Sequence, residues 1–354
     1  MPSNADWLAS LSPWPAEFGL ERMCALLTEL GEPQRAYPAV HVVGTNGKST
    51  ATRTIEALLL AEGLSVGATI SPHVRSWSER IRLDGEEADL EGALARVRSA
   101  AERLGATQFE TITAAALAAF AAASVDAAVV EAGLGGRLDA TNVLDARVVL
   151  LTNVSPEHTE VLGETPEEIA REKLAVAHAG TIVVLSDNSF AHLVPGNEVV
   201  VGGAREAAAA FLGRPVAAEV EVRLPGRLER RGDDELRDGA HNPAGAEWLV
   251  RRLPPADYSI VCSILRDKDA TAMLETLATA GSRFVATQSS NERSLPAEEL
   301  ARLAAPFFRH VESATEPEAA VARAHELGSP VLVTGSLYLL ADLEGKEQEA
   351  AWRS

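Results

Sequence analysis

The sequence predicts an α/β protein, with a P-loop parallel-sheet N-terminal domain and a smaller, open C-terminal α/β domain. Three observations predict it. Apolar runs of strand length alternate with helical segments. A glycine-rich loop carrying a lysine joins one such strand to a helix. The alternation weakens once, over 187–235, before a second series begins. Buried strands separated by helices imply a parallel sheet covered on both faces.

In order, 39–43 (AVHVV), 65–70, 126–132, 146–152 and 181–186 read as strands. Helical stretches fall at 48–62, 88–104, 111–123 and 165–178. Pro166 suits the first turn of the last of these, with Thr165 as its N-cap. Pro195, Gly196, Gly202, Gly203, Pro215, Pro225 and Gly226 interrupt the next stretch, and the domain boundary is placed near 222, giving domains 1–222 and 223–354. The second series has strands at 235–237, 258–264, 283–287, 307–311 and 330–334. Its helices fall at 244–252, 269–279, 297–304 and 316–326.

The 354 residues suffice for two domains of ordinary size. Asp and Glu number 51 against 32 Lys and Arg, a net charge of −19, which argues against a general nucleic-acid binder. A single lysine or a helix N-terminus can still bind phosphate inside an acidic protein. Cys24 and Cys262, the two cysteines, form neither a disulfide framework nor a zinc cluster. The opening MPSNADWLAS lacks a basic region followed by an apolar core, and the apolar stretch 114–130 is broken by Ser124 and Asp126. A cytoplasmic protein with no membrane partner is expected.

HVVGTNGKST (41–50) runs from a buried strand into Gly44-Thr45-Asn46-Gly47-Lys48-Ser49-Thr50 and then a helix. Such a loop turns backbone N–H groups toward a phosphate, the helix N-terminus adds positive potential, and Lys48 reaches the outer phosphates. Ser49 or Thr50 can offer a hydroxyl to Mg²⁺. The loop is shorter than the common motif, because Val42 stands where the first glycine would be. Glu131 ends an apolar strand before a glycine-rich turn, Ser71 follows another strand, and Glu157 and His158 follow a third. Ligands collect at the carboxyl ends of parallel strands, so these polar groups suggest a metal-phosphate site. From spacing alone, Lys173 reads as a solvated helix lysine.

Eleven segments then occur in order: GTNGKST, SPHV, ERIRLDG, FETITAAALAAF, EAGLGGRLDATNV, EHTEVLG, IAREKLAV, LPGRLE, DGAHNPAG, RDKD and TGSLYLLADL. With FGLERM (18–23), the set resembles the dihydrofolate synthase/folylpolyglutamate synthase branch of the Mur ligase superfamily, over about 18–343. The resemblance implies a Rossmann-like C-terminal domain and an ATP-dependent carboxylate–amine ligase. Such an enzyme adds L-glutamate to dihydropteroate, reduced folates or both through an acyl phosphate, at a site between its domains. It implies that Gly44 to Thr50 hold ATP, with Lys48 catalytic, and that Ser71, Glu131 and His158 hold Mg²⁺. Lys173 would carry a carbamate, which reverses the reading from spacing. Arg227, Asp238, His241 and Asn242 would face the nucleotide. Glu17, Phe18, Phe109, Glu110 and Thr113 would face the pterin. A monomer is implied, and a monovalent cation requirement stays open.

Four positions depart from the family pattern. Ser49 stands where glycine is usual and is expected to crowd the phosphate loop. Glu157-His158-Thr159 replaces Asp-His-Thr, and Lys173-Leu174-Ala175-Val176 replaces Lys-Ala-Gly-Ile. Arg205 or Glu206 falls where an asparagine often meets the nucleotide. Segments between 186 and 235 are also trimmed. Two other readings are another Mur-type ligase, acting on a cell-wall peptide precursor, and a P-loop ATPase or switch protein. FGLERM, SPHV, ERIRLDG and FETITAAALAAF favour the folate branch, and the absence of Asn-Lys-x-Asp counts against a GTPase.

Overall fold

The computed structural model describes residues 3–15, 17–156 and 159–345, with 159 and 160 by backbone alone. The chain divides into two compact units, Met1–Val222 and Arg223–Ser354.

In the first unit, α1 (Asn4–Ser10) and α2 (Glu21–Glu29) precede β1 (Ala39–Val43), α3 (Lys48–Ala61) and β2 (Val66–Thr69). A short hairpin follows, β3 (Arg82–Leu83) and β4 (Glu86–Glu87), then α4 (Leu90–Leu104), α5 (Gln108–Ala123) and β5 (Ala127–Glu131). The unit continues with β6 (Val148–Leu151), α6 (Thr159–Leu162), α7 (Pro166–Leu174), β7 (Ile182–Leu185), β8 (Glu198–Val201) and α8 (Ala204–Leu212). The sheet order is β4-β3-β2-β5-β1-β6-β7-β8. It is parallel from β2 to β8, and the β3–β4 hairpin adds an antiparallel edge. Asp84 and Gly85 both take positive φ, the backbone that a two-residue Asp-Gly hairpin turn requires.

Alternation along the strands divides the apolar side chains between two faces. Val40, Val42, Val148, Leu150 and Val184 join α3 and α8 side chains on one face. Val43, Val149, Leu151, Val183 and Leu185 join Leu174 and Val176 on the other. Helix α5 is apolar nearly all round, and Thr111 to Leu117 are all buried, as a central helix requires. It begins at Gln108, three residues before the sequence pattern suggested. Thr107 caps it, with Glu110 completing a reciprocal capping box. The sequence pattern missed β8 and α8. Strand β8 is an edge strand of half-exposed valines, and α8 is mostly alanine, so neither carries a strong period.

β1 sits between β5 and β6, where connections leave to opposite sides of the sheet. This switch point opens a crevice at the carboxyl end of β1. The second unit contains β9 (Glu229–Arg231), β10 (Glu235–Arg237), α9 (Pro243–Val250), β11 (Ser259–Cys262), α10 (Ala270–Leu277) and β12 (Arg283–Ala286). After these come α11 (Ala297–Ala304), β13 (His310–Ser313), α12 (Pro317–Leu327), β14 (Val331–Thr334) and α13 (Leu337–Leu343). Its sheet order is β13-β12-β11-β14-β10-β9, parallel except for β9. The strand expected at 307–311 lies instead at His310–Ser313, because Ala305 to Phe308 still belong to the turn that ends α11.

Gly67 of β2 leaves room for the ring of Phe120, and a Cβ there would overlap that ring. Phe120 is fully buried and packs edge-on against Tyr37. Gly67→Ala should therefore cost about 1–3 kcal/mol through overpacking. Urea unfolding of the first unit's transition measures this, and an unchanged midpoint would show that the α5 contact yields freely.

Candidate active site

The residues after β1 form a loop that owes its shape to the residues after β6. Gly44 has φ +146°, and a Cβ there would collide with Thr152 Oγ1. The Thr152 hydroxyl donates to the Asn46 carbonyl at 2.8 Å. Asn46 N–H donates to Asn153 Oδ1 at 2.9 Å, and Asn153 Nδ2 returns a bond to the Asn46 carbonyl at 2.9 Å. Thr45 N–H donates to the Asn153 carbonyl at 3.0 Å, and Ser155 N–H donates to Thr45 Oγ1 at 3.1 Å. Thr152, Asn153 and Ser155 were not singled out from sequence. The polar run that ends the β6 strand is the signal for them.

Gly47 takes φ +80° and opens α3 without a capping side chain. The first turn of α3 has no acidic residue. Its N–H groups and dipole therefore suit an anion. Lys48 Nζ donates to the carbonyls of Gly44 at 3.1 Å and Thr45 at 3.2 Å. Lys173 Nζ donates to the same Gly44 carbonyl at 2.9 Å. The structure thus overturns the solvated reading of Lys173, which is 4% exposed. Ile169, Ala170 and Leu174 share its buried face of α7, and their spacing places Lys173 on that face.

Glu131, at the end of β5, is buried rather than solvent-facing. Ser49 Oγ donates to its Oε1 at 3.0 Å, and Ser71 N–H donates to its Oε2 at 3.1 Å. Ser49 does not crowd the loop as expected, because its hydroxyl is turned to Glu131. Thr50 is exposed. Among the described residues, no group of three or more His, Cys, Asp or Glu side chains is placed to hold a metal ion. A single carboxylate with neighbouring hydroxyls still fits Mg²⁺, which keeps waters and takes its other oxygens from substrate phosphates. Glu157 and His158 lie outside the described residues.

The loop after Glu131 docks on α7. Gly136 lies so close that a Cβ would sit 2.5 Å from the Lys173 carbonyl oxygen. Arg137 N–H donates to the Glu172 carbonyl at 3.1 Å, and its guanidinium pairs with the Glu172 carboxylate at 3.1 Å. Beneath the loop, Asp139 accepts from Leu134 N–H at 2.7 Å and Thr141 N–H at 2.9 Å. Burial raises the Asp139 carboxyl above its usual range against these bonds. His41 of β1 meets Thr141 Oγ1 at 2.8 Å. Burial, then the nearby His178 charge, pulls the His41 imidazole down to about 3.

The expected pterin residues separate. Phe109 is half-buried, with its ring against Gly133 of the same loop. Glu17 and Phe18 are exposed, and Phe18 stands edge-on to Trp14. Thr113 is buried in α5. The Glu110 carboxylate closes the Thr107 capping box and pairs with Arg22 at 2.9 Å, tying α2 to α5.

In the second unit, Asp238 receives Leu228 N–H and Ala240 N–H, each at 2.9 Å, and Gly239 N–H donates to the Gly226 carbonyl at 2.8 Å. The LPGRLE turn and the DGAHNP segment therefore form one structure. Burial raises the Asp238 carboxyl, and the positive charge of Arg227 opposes this. His241 Nδ1 lies 2.8 Å from the Gly239 carbonyl, so that nitrogen carries the proton in this bond. Asn242 Oδ1 caps α9 by accepting from Gly245 N–H at 2.7 Å.

A loop of this kind binds the phosphates of a nucleotide, and the buried carboxylate beside it suits a hydrated divalent cation. Fold and site thus define a nucleotide-dependent α/β enzyme. The Mur ligase middle domain matches residues 42–211, and the Mur ligase glutamate ligase domain matches 226–337. A Mycobacterium tuberculosis dihydrofolate synthase/folylpolyglutamate synthase is 31% identical, covering 83% of this chain and 80% of that protein. The chain spans 50% of the length of a Halobacterium salinarum relative, 31% identical, named a probable bifunctional folylpolyglutamate synthase/dihydropteroate synthase. E. coli FolC in complex with DHPP and ADP superposes with TM-score 0.84 at 28% identity, covering 97% of each chain. A bifunctional folylpolyglutamate synthase/dihydrofolate synthase with Mn, AMPPNP and L-glutamate bound gives 0.84 at 27% identity, again over 97% of each chain. The chain belongs to the Mur ligase family, in the dihydrofolate synthase/folylpolyglutamate synthase branch. It is an ATP-dependent ligase, and the folate branch is favoured over the cell-wall alternative.

The buried histidine gives a pH prediction. The folded pKa of His41 lies below the ordinary value of 6.5, so the unfolded chain takes up the proton first as pH falls. The stability from neutral His41 is complete above about pH 6.5 and is lost progressively below it. His41→Gln keeps an amide for Thr141 and removes the titration. The Tm of the wild type should fall more steeply from about pH 7 to about pH 5 than that of the variant. Parallel curves would show that His41 is not held neutral.

Proposed function

We propose that the chain joins L-glutamate to dihydropteroate, to reduced folates, or to both, using ATP. The convergence of Lys48 and Lys173 on the Gly44 carbonyl, beside the twice-held Glu131, carries this reading. The γ-phosphoryl group passes to the substrate carboxylate and forms an acyl phosphate. The glutamate amine attacks that carbonyl carbon, the amide bond forms and phosphate leaves. Lys48 moves from its loop carbonyls to the phosphates and stabilises the charge that grows on them. Glu131 and Ser71, with His158 from the sequence, would hold Mg²⁺, which neutralises phosphoryl oxygens. Arg227, Asp238 and His241 would meet the nucleotide. Phe109 would adjoin the pterin, with Glu17 and Phe18 at its rim.

The Lys173 side-chain nitrogen, once deprotonated, would add to CO₂, with a new N–C bond and release of a proton, to become an anion near the phosphates. No described helix is long and apolar enough to cross a membrane. The family resemblance supports an enzyme acting as a monomer in the cytoplasm.

A product-mass assay with ATP, Mg²⁺ and L-glutamate tests the reading, with dihydropteroate in one tube and a tetrahydrofolate in the other. Glutamate added in both means a bifunctional enzyme, and in one alone a dedicated synthase. ATP binding with no product from either, but product from a UDP-linked muramoyl acceptor, would move the chain to the cell-wall branch. Lys48→Ala should lower turnover by about a hundredfold or more. Lys173→Ala should also lower turnover, and added short carboxylates should restore part of it. Wild-type turnover in Lys173→Ala would remove that residue from the chemistry.

A further inference from the structure

Ser49 is the departure that the phosphate loop does not need, and its surroundings give it a different task. Its side chain is 6% exposed and donates to Glu131 Oε1 at 3.0 Å. The other oxygen of the same carboxylate accepts Ser71 N–H at 3.1 Å. One donor comes from the helix that opens at the phosphate loop, and the other from the segment after β2. We propose that Ser49 is a positioning residue that fixes the Glu131 carboxylate for the divalent cation, and so couples the phosphate-loop helix to the metal ligand.

The physical argument is one of preorganisation. A carboxylate that accepts a hydrogen bond at each oxygen turns less readily about its last bond, and a carboxylate oxygen can accept more than one partner. Groups that hold a metal ligand in place commonly change metal affinity 10–100-fold when removed. With glycine at position 49, Oε1 would have no hydroxyl from this helix, and the carboxylate would be held at Oε2 by Ser71 N–H. Serine here therefore adds an orienting bond to the metal ligand while leaving the open side of Gly47 clear.

The proposal rests on the ligase reading only in taking this pocket as the metal–nucleotide site. The test measures binding, not turnover: Mn²⁺ affinity of the ADP complex by electron paramagnetic resonance, and ADP affinity in EDTA, on the full chain. Ser49→Ala and Ser49→Gly should weaken Mn²⁺ by about tenfold. Their metal-free ADP affinity should stay within about twofold of wild type, and Ser49→Thr should restore most of the Mn²⁺ affinity. Equal Mn²⁺ affinity in wild type and Ser49→Ala would overturn the positioning role. So would an equal loss of ADP affinity in EDTA, which would assign Ser49 to the phosphate loop itself. A wild type that binds neither ADP nor Mn²⁺ would instead overturn the ligase reading beneath it.

Discussion

The Gly44 carbonyl accepts from the side-chain nitrogens of two lysines, and the loop takes this path because Gly44 carries no side chain against Thr152. That close approach sets the path of the loop. The loop sets where α3 begins, and α3 brings Ser49 to Glu131. Within a chain of net charge −19, Lys48 and the N-terminus of α3 supply the local positive potential that suits an anion.

The remainder of the first unit holds this point still. Gly136 lets the loop after β5 lie directly on the carbonyls at the end of α7, so the helix bearing Lys173 and the strand bearing Glu131 are locked together. Arg137 and Glu172 close the same seam from outside, where solvent screens the pair, so its value lies in register more than in energy. At the sheet edge, β4 presents Glu86 and Glu87, both exposed. Like charges there oppose pairing with a strand of another copy.

The sequence revealed the central strands because each is an unbroken apolar run, buried along its whole length, as β1, β5 and β6 are. It did not reveal β8 and α8, whose valines are half-covered and whose helix is mostly alanine. The phosphate loop was legible because glycine and lysine chemistry is local. The strap at Thr152, Asn153 and Ser155 was not, because its meaning depends on β6 lying beside β1. Lys173 was misread from spacing because Glu167, Glu168 and Arg171 make α7 look solvated, although Ile169 and Leu174 mark the face it shares. Glu110 and Asn242 also carry helix starts with their oxygens, a task the motifs alone did not reveal. A motif marks a residue as constrained, and the hydrogen bonds identify the constraint.

Asn46 and Asn153 exchange a matched pair of hydrogen bonds across 107 positions of chain. Both bonds run between the Asn46 main chain, through its N–H and its carbonyl, and the side-chain amide of Asn153. Any residue other than proline at 46 keeps that N–H and carbonyl, whereas a change at Asn153 removes both bonds, so the dependence runs one way. The shape of the phosphate loop is therefore transmitted in part by a side chain that lies 107 positions beyond the glycine-lysine motif, whichever side chain stands at 46.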